Sequence, residues 1–158
     1  MENGVFLSVI NRIQQVIDKE EAFLLSLDRE TVSVRFNKQN RSVKQILGHL
    51  VDSASNNHQR IIRLQYNREL VFPDYRQDND LWIAIQDYQH SDWNILVQLW
   101  KFYNLHMMQV IGAVDLSKLD NYWYDFEGTK VTLREMIEGY PEHLDLHMGE
   151  IHELCHNF

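Results

Sequence analysis

Cysteine, proline and glycine are scarce in the 158-residue chain, which contains one cysteine, Cys155, two prolines and six glycines. A single cysteine excludes an internal disulfide and fits a reducing compartment. Long apolar runs are missing too: no stretch approaches the roughly 18 apolar residues of a membrane-spanning helix, and residues 1–8 lack the basic and apolar regions of a signal peptide. We therefore expect a cytoplasmic protein that does not enter membranes.

Positive charge is also in short supply. The chain has 15 Lys and Arg against 23 Asp and Glu, which gives a formal net charge of -8. This charge repels phosphate backbones and anionic lipid, so it argues against nucleic acid and membrane surfaces as partners. A chain of this length fits one domain, residues 1–158, which buries roughly two-thirds of its unfolded surface.

Apolar residues recur at helical spacing in four segments, and few residues in them break helices. Two of the segments begin with a capping box, Ser42 with Gln45 and Thr132 with Glu135, in which each side chain bonds the backbone at the other's position. The segments span about residues 5–27, 42–64, 91–111 and 132–154. Four long amphipathic helices predict an all-α fold, a four-helix bundle with one or two long crossover connections.

The connecting segments are less regular. Residues 31–36 alternate like a strand without an obvious partner, and we interpret them as an extended connector. Residues 67–90 form a long crossover with a short helix around residues 81–88. Residues 115–131 contain a small hairpin, because residues 127–130 offer a turn around Gly128.

His143 and His147 lie four residues apart in the last helix, so their imidazoles stack one turn apart on the same face. Tyr140 and Ile151 share this face, which therefore points to the core. Burying an imidazole without a partner costs about 1 to 3 kcal/mol. A metal ion shared by both rings removes this cost, and the alternative is a separate hydrogen bond for each histidine.

His49 is the best candidate for a third ligand. It lies beside the apolar stripe of the second helix, on an edge that it shares with Ser53, Asn56 and Arg60, and a polar edge of this kind indicates a pocket wall. The alternative is a boundary histidine half in water. His58 lies on the opposite side of the same helix and cannot join such a site.

Two further histidines, His152 and His156, are also four residues apart near the C-terminus. They project from the face opposite His143 and His147, and we interpret them as surface residues. His90 and His106 fall outside the main apolar stripe and are expected in solvent.

Three motifs in this order resemble those of the DinB-like, or YfiT-like, metal-dependent hydrolase superfamily along the whole chain. They are Ile46-Leu-Gly-His-Leu50, Gly128 followed by Thr132-Leu-Arg-Glu-Met136, and His143-x-x-x-His147-Met-Gly-Glu-Ile151. The resemblance implies an up-down-down-up bundle, a homodimer, and a metal held by His49, His143 and His147. This chain departs from many relatives at Leu146, where they carry histidine, and at Glu150, where glutamine is common.

Three neutral imidazoles leave an ion at least one open position, where water or a thiol is activated. The resemblance implies hydrolysis or thiol S-transfer on a small molecule. The ion is expected to be Zn or Ni, with Fe or Mn as alternatives. For acid–base or supporting roles the candidates are Asp52 and Glu150, and for substrate orientation they are Ser53, Asn56, Tyr140 and the aromatic wall residue Trp100.

Two non-catalytic alternatives stay open at this point. In one, the ion stabilises a bundle that binds a ligand or partner, and a carboxylate such as Asp52 or Glu150 closes the site as a fourth ligand. In the other, no metal is bound and aromatic residues cover a dimer face. Aromatic side chains at helical spacing, Trp100 among them, are also common as plain core.

Overall fold

A computed structural model describes residues 4–70, 78–125 and 127–156 of the chain. Four long helices make up most of the described structure: α1 (Leu7–Ser26), α3 (Val43–Leu64), α5 (Trp93–Gly112) and α6 (Leu133–His156). Two short helices, α2 (Arg29–Val34) and α4 (Asn79–Ile85), lie in the connections. The predicted all-α four-helix bundle is confirmed.

Side-chain caps fix where the long helices begin. Ser42 Oγ accepts from the Gln45 backbone N–H at 3.3 Å, while Gln45 Oε1 accepts from the Ser42 N–H at 2.9 Å, which completes the predicted capping box of α3. Thr132 and Glu135 form the same reciprocal pair at the start of α6. Because each cap sets the first turn, it also sets which face of the helix meets the core.

Helix α3 lies at the centre of the packing. It packs against α5 and α6, and α1 completes the bundle by packing against the same two helices. The side chains between the helices are mainly aliphatic, and Ile13, Leu47, Ile61, Trp100, Met107, Ile137 and Ile151 are fully buried. Burial of these apolar side chains supplies most of the free energy that holds the helices together.

The described residues also form a small three-stranded sheet. Strand β2 (Tyr122–Tyr124) pairs antiparallel with β3 (Lys130–Thr132), which confirms the predicted hairpin, and Gly128 in its turn has a φ of 80° that glycine adopts without strain. Strand β1 (Glu69–Leu70) adds a parallel edge to β2. The sequence analysis did not anticipate β1, because two residues are too few for a recognisable pattern.

The interpretation of residues 31–36 as an extended connector is wrong. Asp28 accepts the Thr31 N–H at 2.7 Å and caps α2, and the side chain of Val32 is fully buried. Arg35 keeps the extended backbone, and Phe36 forms an isolated bridge with Ser42. The apolar–polar alternation of these six residues was therefore a weaker determinant of their conformation than the helix cap at Asp28 and the burial of Val32.

The crossover contains the predicted short helix, α4, followed by a 3-10 turn at Tyr88–His90. The part of the predicted crossover that covers residues 71–77 lies outside the described residues. None of the helices in the described ranges is both long enough and apolar enough to cross a bilayer.

Replacing Ser42 by alanine is expected to destabilise the protein by about 1–2 kcal/mol, more than Thr132→Ala does. Ser42 is fully buried, and its hydroxyl donates to Gln89 Oε1 at 2.6 Å in addition to its capping role. Urea denaturation measures the free energy of unfolding of both variants, and the comparison is valid when their m-values are equal. An equal or larger loss for Thr132→Ala would contradict the importance assigned to the buried cap.

Candidate metal centre

Three histidines from two facing helices converge inside the bundle. His49 comes from α3, and His143 and His147 come from successive turns of α6. Each of the three offers a ligand atom, and these atoms all lie within 4.8 Å of one another. The His49 ring centroid lies 4.6 Å from that of His147 and 5.4 Å from that of His143. The structure thus brings together the three residues that the sequence singled out.

The spacing of the two α6 histidines fits a shared ion. Their Nε2 atoms lie 3.2 Å apart. Two Zn–N bonds of 2.0–2.1 Å at a tetrahedral angle place their nitrogens about 3.3 Å apart. Because two unprotonated ring nitrogens repel each other at this distance, a proton or a cation must lie between them.

Hydrogen bonds behind the rings support this orientation. His147 Nδ1 donates to Glu150 Oε2 at 3.0 Å, and His143 Nδ1 lies 3.4 Å from Ser53 Oγ. Asn57 in turn donates to the same Ser53 oxygen at 3.4 Å. The Glu150 carboxylate can only accept, so it fixes the tautomer of His147 and leaves Nε2 as the ligand atom, as is common in metal sites. The Ser53 hydroxyl, in contrast, can either donate to or accept from His143 Nδ1.

Glu150 and Ser53 therefore stand behind the histidines. Glu150 was proposed from sequence for acid–base or supporting work, and the structure places its carboxylate against His147 Nδ1. Ser53 was proposed to orient substrate, and the structure places it against His143 instead. Neither residue belongs to the cluster of ligand atoms, which within the described residues contains three imidazoles and no carboxylate.

Burial keeps the imidazoles of His49 and His143 neutral. It lowers the pKa of His49 from 6.5 to about 3, and the neighbouring His147 and His143 lower it further. Burial likewise lowers the pKa of His143 to about 4, with His147 as the second cause. Neutral rings keep a lone pair for an ion at neutral pH, whereas protonated rings cannot bind one.

Asp52 lies one turn beyond His49 on α3 and outside the histidine cluster. Its side chain is 3% exposed, and Oδ1 accepts from Tyr88 Oη and from Gln86 Nε2, each at 2.7 Å. Burial raises the pKa of Asp52, while these two hydrogen bonds oppose the rise. The structure therefore places this predicted acid–base residue in a buried hydrogen-bond network.

The sequence analysis missed Tyr88 and Gln86 as partners of Asp52. Gly48 was the available signal, because a glycine inside a helix often marks a close approach. A Cβ atom at Gly48 would lie 2.3 Å from the Tyr88 ring, so only glycine lets this ring lie flat against α3. The identity of the approaching residue depends on the crossover and cannot be read from local sequence.

Tyr140 and Trp100 belong to the core. The Tyr140 hydroxyl donates to Asn104 Oδ1 at 2.8 Å, and Asn104 Nδ2 donates to the Trp100 carbonyl oxygen at 2.8 Å. Trp100 is fully buried and Tyr140 is 3% exposed. These positions do not support the substrate contacts proposed from sequence. Asn56 is also buried, on the polar edge of α3 that carries His49.

The remaining histidines form other contacts. His58 is half-buried, and its ring lies 5.1 Å from that of the exposed His106. The interpretation of His152 as a surface residue is wrong, because its Nε2 lies 2.7 Å from Oε2 of the buried Glu20 and its ring stacks on Phe23 at 4.1 Å. No local pattern predicts this pairing, because α1 and α6 are far apart along the chain.

Fold and site together define a helical bundle with a buried three-histidine cluster between two facing helices. A solved structure of the same fold is YfiT from Bacillus subtilis, described as "a probable metal-dependent hydrolase with an unusual four-helix bundle topology". The two structures align with a TM-score of 0.85 over 99% of this chain and 89% of YfiT, at 16% sequence identity. The YfiT-like fold expected from the sequence is confirmed.

At this level of identity the likeness shows the fold alone. No protein-family profile matches the chain, and no curated protein matches it either.

The metal-free protein is expected to lose stability as pH falls from 6.5 to about 4. In this window the unfolded chain protonates His49 and His143, whose pKa values in the folded state are about 3 and about 4, whereas the folded chain does not. More protons bound by the unfolded state mean that stability rises with pH. Urea midpoints in chelator at several pH values between 4 and 7.5 measure the slope.

The matched control is the double variant His49→Gln and His143→Gln, which lacks both titrating rings. Its stability should depend less steeply on pH in the same window. Identical slopes for the variant and the wild type would contradict the burial of neutral imidazoles.

Proposed function

We propose that the protein is a metal-dependent enzyme that acts on a small molecule, with one divalent ion held by His49, His143 and His147. The observation that supports this most strongly is the 3.2 Å separation of Nε2 atoms in His143 and His147, with a third imidazole beside them. The description of YfiT as a probable metal-dependent hydrolase supports the same assignment.

The ligand set favours a catalytic site over a closed structural one. Structural zinc sites usually have four protein ligands, whereas catalytic sites have three and an open position. Within the described residues the cluster offers three nitrogens and neither a carboxylate nor a thiolate. An ion with three neutral ligands keeps its full charge, and it supplies a Lewis acid that activates water or a thiol near neutral pH.

The protein's own residues hold the site in shape. Glu150 accepts a hydrogen bond from His147 Nδ1–H and Ser53 stands behind His143, so both rings present Nε2 inwards. Burial lowers the pKa of His143 and of His49, so these two rings are neutral near neutral pH. We assign Glu150 a positioning role, because its carboxylate contacts a ligand ring.

The reaction class we propose is hydrolysis or thiol S-transfer. Zn or Ni is the expected ion, with Fe or Mn as alternatives, because imidazole nitrogen suits several divalent metals. The net charge of -8 favours a small-molecule substrate over nucleic acid. A single domain over residues 1–158, a cytoplasmic location and a homodimer remain predictions from the sequence.

A second candidate function is a bundle that the ion only stabilises. It is favoured by one observation, that the cluster joins α3 to α6 and so bridges two helices of the core. The two candidate functions predict different coordination of the ion. A catalytic ion needs an exchangeable ligand at an open position, whereas a purely structural ion does not.

His49→Ala is expected to weaken binding of Zn2+ or Ni2+ by more than about 100-fold, which exceeds the 10–100-fold typical of a lost supporting hydrogen bond. Elemental analysis and chelator competition measure stoichiometry and affinity. His58→Ala is the matched control, because His58 lies on the same helix outside the cluster, and it should bind one ion per chain like the wild type. Retention of metal by His49→Ala would contradict the three-histidine site.

Catalysis is tested with the metal-loaded protein on chromogenic esters and amides and on a thiol with an electrophilic acceptor. Turnover that requires the ion and disappears in His49→Ala supports the enzyme. A stoichiometric ion that raises the melting temperature without any turnover, and without an exchangeable ligand, would support the structural alternative.

A further inference from the structure

His49 differs from the other two histidines because its Nδ1 atom has no hydrogen-bond partner among the described residues. His147 Nδ1 is held by Glu150 and His143 Nδ1 lies against Ser53, whereas His49 Nδ1 is buried without a hydrogen-bond partner among the described residues. Buried polar atoms nearly always have a partner, and a ligand histidine needs one to fix its tautomer. The position behind His49 therefore calls for an acceptor.

Asp52 offers that acceptor. It follows His49 by three residues on α3, and side chains at this spacing lie on the same helix face with Cβ atoms about 5–6 Å apart. Its Oδ2 atom is buried and, like His49 Nδ1, has no partner among the described residues. A donor and an acceptor, both without partners, thus lie on one face of one helix beside the cluster.

The carboxylate is held rigidly by groups on its other side. Oδ1 accepts from Tyr88 Oη and Gln86 Nε2, so these contacts leave Oδ2 as the atom with unused acceptor capacity. Tyr88 reaches this position because Gly48 lets its ring lie against α3. A buried carboxylate is costly unless it is well bonded, and this one is fixed in place with one oxygen to spare.

The geometry points to Asp52 as the positioning residue for His49, through one buried water that accepts from His49 Nδ1–H and donates to Asp52 Oδ2. Buried waters commonly bridge pairs of polar atoms that have no direct partner. The bridge leaves Nε2 of His49 as the ligand atom. This inference rests on the proposed metal site and assigns Asp52 a role in holding the ion instead of acid–base catalysis.

The arrangement gives each ligand its own support. Glu150 comes from the same helix as His147, three residues later, and Asp52 stands in the same relation to His49. The repeated spacing follows from helix geometry, because the residue three positions on lies over the same face. His143 is supported across the interface by Ser53, so α3 holds one ring of α6 in addition to its own.

Asp52→Asn tests the inference, because it keeps the shape of the side chain and replaces Oδ2 by a donor. We expect Zn2+ affinity, measured by competition with a chromophoric chelator, to fall about 10–100-fold, comparable to Glu150→Gln. The melting temperature of the metal-free variant should not fall, because a buried charge has been removed. Glu153→Gln, an exposed carboxylate on α6, is the control and should leave the affinity unchanged.

A spectroscopic readout separates positioning from general destabilisation. Long-range 1H–15N correlation spectra of the Zn2+-loaded wild type should show His49 protonated at Nδ1 and bound to the ion through Nε2. In Asp52→Asn the Nδ1–H signal should shift or exchange faster, while the signals of His143 and His147 stay in place.

These measurements distinguish failure of the Asp52 role from failure of the metal site itself. A wild type that binds Zn2+ while Asp52→Asn binds it equally well overturns the role of Asp52 and leaves the metal site intact. Coordination of His49 through Nδ1 overturns it as well. A wild type that binds no Zn2+ overturns the metal site and, with it, this inference.

Discussion

The candidate site depends on the burial of three imidazoles in one place. Rings from α3 and α6 meet between the helices, where burial holds the pKa values of His49 and His143 far below the usual value and keeps these rings neutral. Polar groups in such an environment are unfavourable without partners, and two of the ring nitrogens lie only 3.2 Å apart. One cation would give all three rings a partner, which is why we propose that the protein binds a metal ion between these two core helices.

The three rings converge only if α3 and α6 keep their orientation about their own helix axes. One residue of slip turns a helical side chain by about 100°, which would move His49 out of the interface. The capping boxes at Ser42 and Thr132 fix the starts of α3 and α6, and the Tyr88 ring seated on Gly48 fixes α3 from the other side. Elements that look purely structural thus determine the position of the candidate ligands.

The parts of this arrangement that repeat along a helix could be predicted from sequence, and those that join distant segments could not. The spacing of His143 and His147 and both capping boxes are local patterns, which the fold preserved. The contacts of Asp52 with Tyr88 and of His152 with Glu20 depend on how the connections fold back, and no periodicity reports this. The segment of helix α2 was predicted to be extended because its residues alternate weakly between apolar and polar. It is helical because the Asp28 side chain caps its first turn.

X-ray absorption spectroscopy of the Zn2+-loaded protein tests the central claim most directly, because it counts the ligands and identifies imidazole. The account predicts three imidazole nitrogens at about 2.0–2.1 Å, plus one or more light-atom ligands that do not come from the protein. Fewer than three imidazoles, or a fourth protein ligand that closes the coordination sphere, would contradict it.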